Sequence, residues 1–188
     1  MGQDLKDNAD ILMVGSEKVY AFLEQLLCSL KDCFSSRNIH IGMDEALMLG
    51  LGNYLRENGY RESSLLIREH SQRVLEICRR LGWKPMMWSD MYFRCASRTN
   101  DYYEENLVIP SSVIDSAPEE MELVYWDYYH DDIRDYEKML DIHEQLSDNI
   151  IFAGGSWIWN GISPNYSKTF ACTNAALGAC KEYDMKEV

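Results

Sequence analysis

Residues 122–153 read ELVYWDYYHDDIRDYEKMLDIHEQLSDNIIFA, and this stretch decides the architecture of the chain. Glu122-Leu123-Val124-Tyr125-Trp126-Asp127 is rich in branched and aromatic residues, as a strand requires. Ile133, Tyr136, Leu140 and His143 then recur at helical spacing, which predicts a helix over about 132–146. Asn149-Ile150-Ile151-Phe152-Ala153 predicts the next strand, running into Gly154-Gly155-Ser156-Trp157. A strand, a helix and a strand in close succession form a unit whose strands run parallel, joined by a right-handed crossover.

The same alternation extends in both directions. Val19, Phe22, Leu23, Leu26, Leu27, Leu30 and Phe34 mark an amphipathic helix over 17–34, with Ser16 at its N-cap. Ile39-His40-Ile41-Gly42-Met43 alternates as a short strand and ends in Asp44-Glu45. The segment 46–60, with Gly50, Gly52 and Gly59, reads as a long connection with some helix. A helix over about 62–81 carries Ile67, His70, Val74, Ile77, Cys78 and Leu81 on one stripe, is stopped by Gly82, and leads into the strand Lys84-Pro85-Met86-Met87-Trp88-Ser89-Asp90. Residues 92–120 read as polar and irregular, with a short helix after Pro110, and a last helix occupies about 167–183. Strands alternating with helices predict an α/β fold with a parallel sheet.

Composition narrows the function. With 31 acidic against 18 basic residues the net charge is −13, and a protein that binds a phosphate backbone needs the opposite balance. A nucleic-acid partner is therefore not expected. No apolar run reaches the roughly 18 residues of a membrane span, and Met1 to Lys6 lacks a secretory signal, so a soluble, cytoplasmic protein with no membrane partner is expected. The six cysteines, at 28, 33, 78, 95, 172 and 180, show no paired metal-ligand or disulfide-framework spacing and read as reduced, mostly buried thiols.

The polar and aromatic residues gather at strand ends: Asp44-Glu45, Trp88 with Asp90, Tyr125 with Asp127, and Trp157 with Trp159. In a parallel α/β sheet all carboxyl ends lie on one side, which places these residues on one rim. Alternation puts Trp88 with Asp90, and Tyr125 with Asp127, on shared faces. An acidic, aromatic rim without a phosphate loop suits sugars, because indole faces stack on pyranose C–H faces and carboxylates accept hydroxyl protons. One member of a carboxyl pair can also hold a proton as general acid.

His40-Ile41-Gly42-Met43-Asp44-Glu45 resembles the His-x-Gly-x-Asp-Glu signature of family 20 glycoside hydrolases, the β-N-acetylhexosaminidases. The likeness extends over Trp88, the Tyr125-Trp126-Asp127 strand and the Trp157 region, and is nearest to the bacterial, intracellular branch of that family. It implies a (β/α)8 barrel and a substrate-assisted, retaining reaction in which the sugar's 2-acetamido oxygen attacks the anomeric carbon. By the same resemblance Glu45 is the general acid and then the base, and Asp44 holds the acetamido N–H. Tyr125 bonds the acetamido oxygen, Asp127 binds sugar hydroxyls, and Trp88 and Trp157 wall the pocket, with Trp159 a further candidate. The substrate implied is a glycan with a terminal β-linked N-acetylhexosamine. Adjacent strand residues point to opposite faces, so Asp44 and Glu45 serve together only if the chain bends, which Gly42 would assist.

Residues 1–188 are expected to form a single partial (β/α)8 catalytic domain of about four β/α units, resembling strands four to seven and lacking the first three and the last. Its open sheet edges favour self-association. Two other functions fit the same residues: a retaining glycosidase using a second carboxylate such as Asp127 as nucleophile, and a sugar-binding fragment without turnover. Blander roles are also expected. Trp126 faces the helix layer, Asp90 is a cap or hydrogen-bond anchor as readily as a substrate contact, and His40 is a hydrogen-bonded core residue. His130-Asp131-Asp132 caps a helix rather than binding a metal, and His70 and His143 pack. Neither a metal nor a cofactor is expected.

Overall fold

The computed structural model describes residues 3–104 and 106–188. The chain divides into two compact units, Met1–Met121 and Glu122–Val188. The fold is α/β, and in each unit the strands pair in parallel.

The first unit contains helix α1 (Glu17–Cys33), strand β1 (Asn38–His40), α2 (Asn53–Asn58), α3 (Ser63–Leu81), strand β2 (Lys84–Trp88), α4 (Asp90–Ala96) and α5 (Ser111–Ile114). β1 pairs with β2 in the register Asn38 to Lys84, Ile39 to Pro85 and His40 to Met86. The ladder runs on past the regular strand, since Ile41 N–H donates to the Met86 carbonyl at 2.9 Å and Trp88 N–H to the Gly42 carbonyl at 3.1 Å. Ile39, Ile41 and Met43 pack on a cluster of Tyr20, Leu27, Val74, Ile77, Cys78 and Trp83, supplied by α1, α3 and the start of β2. Each such side chain contributes about 1.5–3 kcal/mol when fully buried, so this apolar seam, rather than helix propensity, holds the helices to the strands. Gly82 ends α3 in the left-handed conformation and donates to the Cys78 and Arg79 carbonyls.

Asp7 ties down the connection that follows β1. Its carboxylate is 2% exposed and accepts the backbone N–H groups of Gly50 at 2.7 Å, Gly52 at 3.1 Å and Tyr54 at 2.7 Å. The Asp7 carbonyl accepts Asn53 N–H at 2.7 Å, so the start of α2 is satisfied by a residue far away in sequence. A Cβ on Gly52 would lie 2.2 Å from that carbonyl oxygen, which explains a glycine there.

The second unit is the βαβ segment with one added helix: strand β3 (Glu122–Trp126), α6 (Ile133–His143), strand β4 (Ile150–Ala153) and α7 (Tyr166–Glu182). β3 and β4 pair from Leu123 to Ile150 through Trp126 to Ala153. Leu123, Val124 and Tyr125 are buried in succession, so both faces of β3 are covered. Asp132 caps α6 as expected, accepting Arg134 N–H at 3.0 Å, and His143 is fully buried, bonded to the Met139 carbonyl. Ala175, Ala176 and Ala179 are buried on α7, and a Cβ on Gly178 would meet Ile133 at 2.9 Å, so α6 and α7 meet over small side chains.

The structure corrects four expectations. Residues 92–96, read as the start of an irregular stretch, belong to α4, which opens at Asp90, read as the end of a strand. β1 is regular only to His40, because the backbone turns left-handed at Gly42. His40 is an exposed residue rather than a core one, since its side of β1 faces away from the helices. Cys28 and Cys33 are exposed, whereas Cys78, Cys172 and Cys180 are buried.

Candidate active site

Where β1 ends, Gly42, Met43 and Glu45 all take positive φ, at 78°, 76° and 47°. Only glycine does this without strain, and the two others are held by their surroundings. The consequence is local and chemical: Asp44 and Glu45 no longer alternate as strand neighbours, and both are exposed.

Asp90 organises this corner. It opens α4, is fully buried, and its Oδ2 accepts Glu45 N–H at 3.0 Å and Arg94 Nε at 2.8 Å. Burial pushes its carboxyl above the usual range, opposed by the bonds from Glu45 and Arg94, and the Asp44 charge pushes it further up. Arg94 Nη2 also reaches Glu45 Oε1 at 3.4 Å. Alternation does not relate Trp88 to Asp90, because a helix begins between them. Trp88 is half-buried while Asp90 is sealed. Asp90 is thus the hydrogen-bond anchor of the rim, one of the two roles read for it.

Trp88 packs on His40, with ring centroids 4.3 Å apart. His40 Nδ1 accepts Gly42 N–H at 3.1 Å, which fixes the turn from its own strand. Partial burial lowers the His40 pKa, partly offset by the Asp44 charge, so the neutral ring is the stable acceptor. A cavity of about 400 Å³ beside Asp44 and Glu45 is lined also by Asp10, Met43, Leu49 and His70.

In the second unit Tyr125 and Asp127 share a face as alternation requires, but it is the face that meets α6: the Tyr125 ring packs on Tyr136 and His143, with centroids 6.5 and 4.6 Å away, so Tyr125 and not, as expected, Trp126 turns toward the helix layer. The Tyr125 hydroxyl donates to Asp127 Oδ2 at 2.9 Å, and both residues are buried. Asp127 also accepts Tyr129 N–H at 2.9 Å on Oδ1 and lies 2.7 Å from His130 Nδ1 on Oδ2. Since a carboxylate only accepts, that nitrogen carries the proton. The bond to Asp127 raises the His130 pKa against the opposing effect of burial.

Trp157 is 7% exposed and fixed at three points. Its N–H donates to Thr169 Oγ1 at 2.9 Å, its carbonyl accepts Asn165 N–H at 2.8 Å, and its indole N–H donates to the Tyr128 carbonyl. Trp159 stacks on it with centroids 5.4 Å apart and 27° between planes, and is 52% exposed. Lys168 Nζ lies 4.0 Å over the Trp157 ring. The pair thus offers one anchored and one open indole, while Trp126 is half-buried against Tyr128.

Sequence reading missed Arg94, Asp7 and the partnership of His130 with Asp127. Asp90 and Arg94 stand at i, i+4, the one available hint that α4 is a helix. Asp7 had no local signal.

The family model described as glycosyl hydrolase family 20, catalytic domain, matches residues 1–139. Asp44, Glu45, Trp88, Tyr125 and Asp127 fall inside that span, and Trp157 and Trp159 beyond it. No curated protein matches the chain. Among solved structures, a GH20 β-N-acetylhexosaminidase from Streptomyces coelicolor A3(2) is similar at 14% identity and a TM-score of 0.43, over 77% of this chain and 22% of that one. The chain therefore spans about a fifth of that relative's length.

Proposed function

The chain belongs to glycosyl hydrolase family 20, and from that premise we propose that it carries part of a retaining site that removes terminal, non-reducing, β-linked N-acetylhexosamine from glycans. The 2-acetamido oxygen attacks the anomeric carbon as the glycosidic C–O bond breaks, and Glu45 gives its proton to the departing oxygen. The product is an oxazolinium, whose positive charge Asp44 offsets while holding the acetamido N–H. Glu45, now a carboxylate, takes a proton from water as that water attacks the same carbon and restores the acetamide. The bond to the acetamido oxygen that the resemblance gives Tyr125 is not part of this reading, because its ring is fully buried against α6 and its hydroxyl is held by Asp127. Trp88 in the first unit, and the Trp157–Trp159 pair in the second, each offer an apolar face to a sugar ring.

The observation that carries this reading is the left-handed turn from Gly42 to Glu45, which frees two neighbouring carboxylates from strand alternation beside an exposed histidine and a half-buried tryptophan. A carboxylate-nucleophile mechanism through Asp127 is disfavoured, because that group is 1% exposed and occupied by neighbouring donors.

The test is hydrolysis of N-acetylhexosaminides by the protein carrying this chain. Glu45→Gln should lose about 10²–10⁴-fold on substrates with poor leaving groups, Asp44→Asn should impair oxazoline formation, and a 2-hydroxy glycoside should not be cleaved. Undiminished rates in both variants, or efficient cleavage of the 2-hydroxy glycoside, would overturn the assignment. Binding of N-acetylglucosamine without any turnover would instead indicate a carbohydrate-binding fragment.

A further inference from the structure

We propose that Arg94, braced by Asp90, is the positioning residue that holds the Glu45 carboxylate in place for proton transfer, a role that rests on the reading of Glu45 given above. Arg94 is fixed by all three of its nitrogens. Nε donates to Asp90 Oδ2 at 2.8 Å, Nη1 to the Asn100 carbonyl at 2.9 Å, and Nη2 reaches Glu45 Oε1 at 3.4 Å. Side-chain exposure rises along the chain of contacts, from 0% at Asp90 to 13% at Arg94 and 62% at Glu45. A rigid, planar fork on a buried base therefore meets a side chain that would otherwise rotate freely in water.

The same carboxylate fixes the Glu45 backbone. Asp90 Oδ2 accepts Glu45 N–H at 3.0 Å, while Glu45 holds a φ of 47°. A non-glycine residue keeps that conformation only where neighbouring contacts over-determine it. One buried group thus sets Glu45 twice, at the main chain directly and at the side chain through Arg94.

Both donors converge on Asp90 Oδ2, the atom that serves Glu45 and Arg94 together.

Leaving-group dependence tests the proposal in the protein that carries this chain. An activated aryl N-acetylglucosaminide departs with little proton assistance, whereas a disaccharide needs it. Arg94→Ala should lower kcat on the disaccharide by about 10²-fold or more and on the activated substrate by less than about tenfold, with KM little changed and Arg94→Lys recovering part of the loss. Equal losses on both substrates, or none, would overturn it. A second readout is independent of turnover: amide hydrogen exchange at Glu45 should quicken about tenfold or more in Asp90→Ala and less in Asp90→Asn, which retains an acceptor. Unchanged exchange would refute the brace, even in a protein that hydrolyses nothing. Absent turnover by the unaltered protein, with the exchange effect intact, would overturn the assigned reaction and leave the brace standing.

Discussion

Asp7→Ala should destabilise the first unit by about 3–5 kcal/mol, which for a small domain is a large part of the whole. The Asp7 carboxylate accepts three backbone N–H groups, from Gly50, Gly52 and Tyr54, at 2.7–3.1 Å. Hydrogen bonds to a charged group contribute about 1.5–3 kcal/mol each, so the gross loss is about 4–9 kcal/mol. Water entering the vacated space recovers part of it, because the connection it holds lies near the surface. Asp7→Asn should lose roughly half as much, since one oxygen still accepts while the amide NH₂ faces a donor. Urea unfolding followed by tryptophan fluorescence measures both, and the midpoint of heating should fall by roughly 10 °C for the alanine variant. The segment released begins directly after Glu45, so exchange of the amides at Gly50, Gly52 and Tyr54 should quicken as well. A loss under about 1 kcal/mol for Asp7→Ala, with those amides still protected, would refute the account of how the rim is held.

The buried histidines set an acid limit. Burial drives His143 down to about 4 from about 6.5 in an unfolded chain, so stability is full above about 6.5 and is lost as pH falls towards 4. At about 1.36 kcal/mol per unit the loss from this group is roughly 3 kcal/mol. His143→Gln should flatten the slope of stability between pH 7 and 5, and an unchanged slope would sink the assignment. Thiol titration with an aromatic disulfide should find Cys28 and Cys33 reactive in the native state. Cys78 and Cys180, pushed up to about 11, and Cys95, pushed up to about 12, should stay protected, and a third rapidly reacting thiol would contradict this.

Much of the fold was legible because burial writes a period into the chain. The stripe on α3, its glycine stop, the βαβ segment and the Asp132 cap all appeared where pattern placed them. α4 did not, because Met91, Tyr92 and Phe93 are buried in succession and a short helix covered on most sides shows no polar face. The two acids and the tyrosine were visible as strand-end residues, but what holds them was not. Asp7 and the glycines it binds are over 40 residues apart, and no local pattern encodes such a contact. His40 misled for a related reason, since parity reports which face a side chain occupies and not whether anything covers it.

The corner at Gly42 to Glu45 bears on protein engineering. Copying the Asp44-Glu45 dipeptide into a straight strand of another scaffold would send its carboxylates to opposite sides, and one would point into the host's packing. What must be transplanted is the whole joint: the glycine, two residues in an unfavourable backbone basin, and the distant acid that keeps them there.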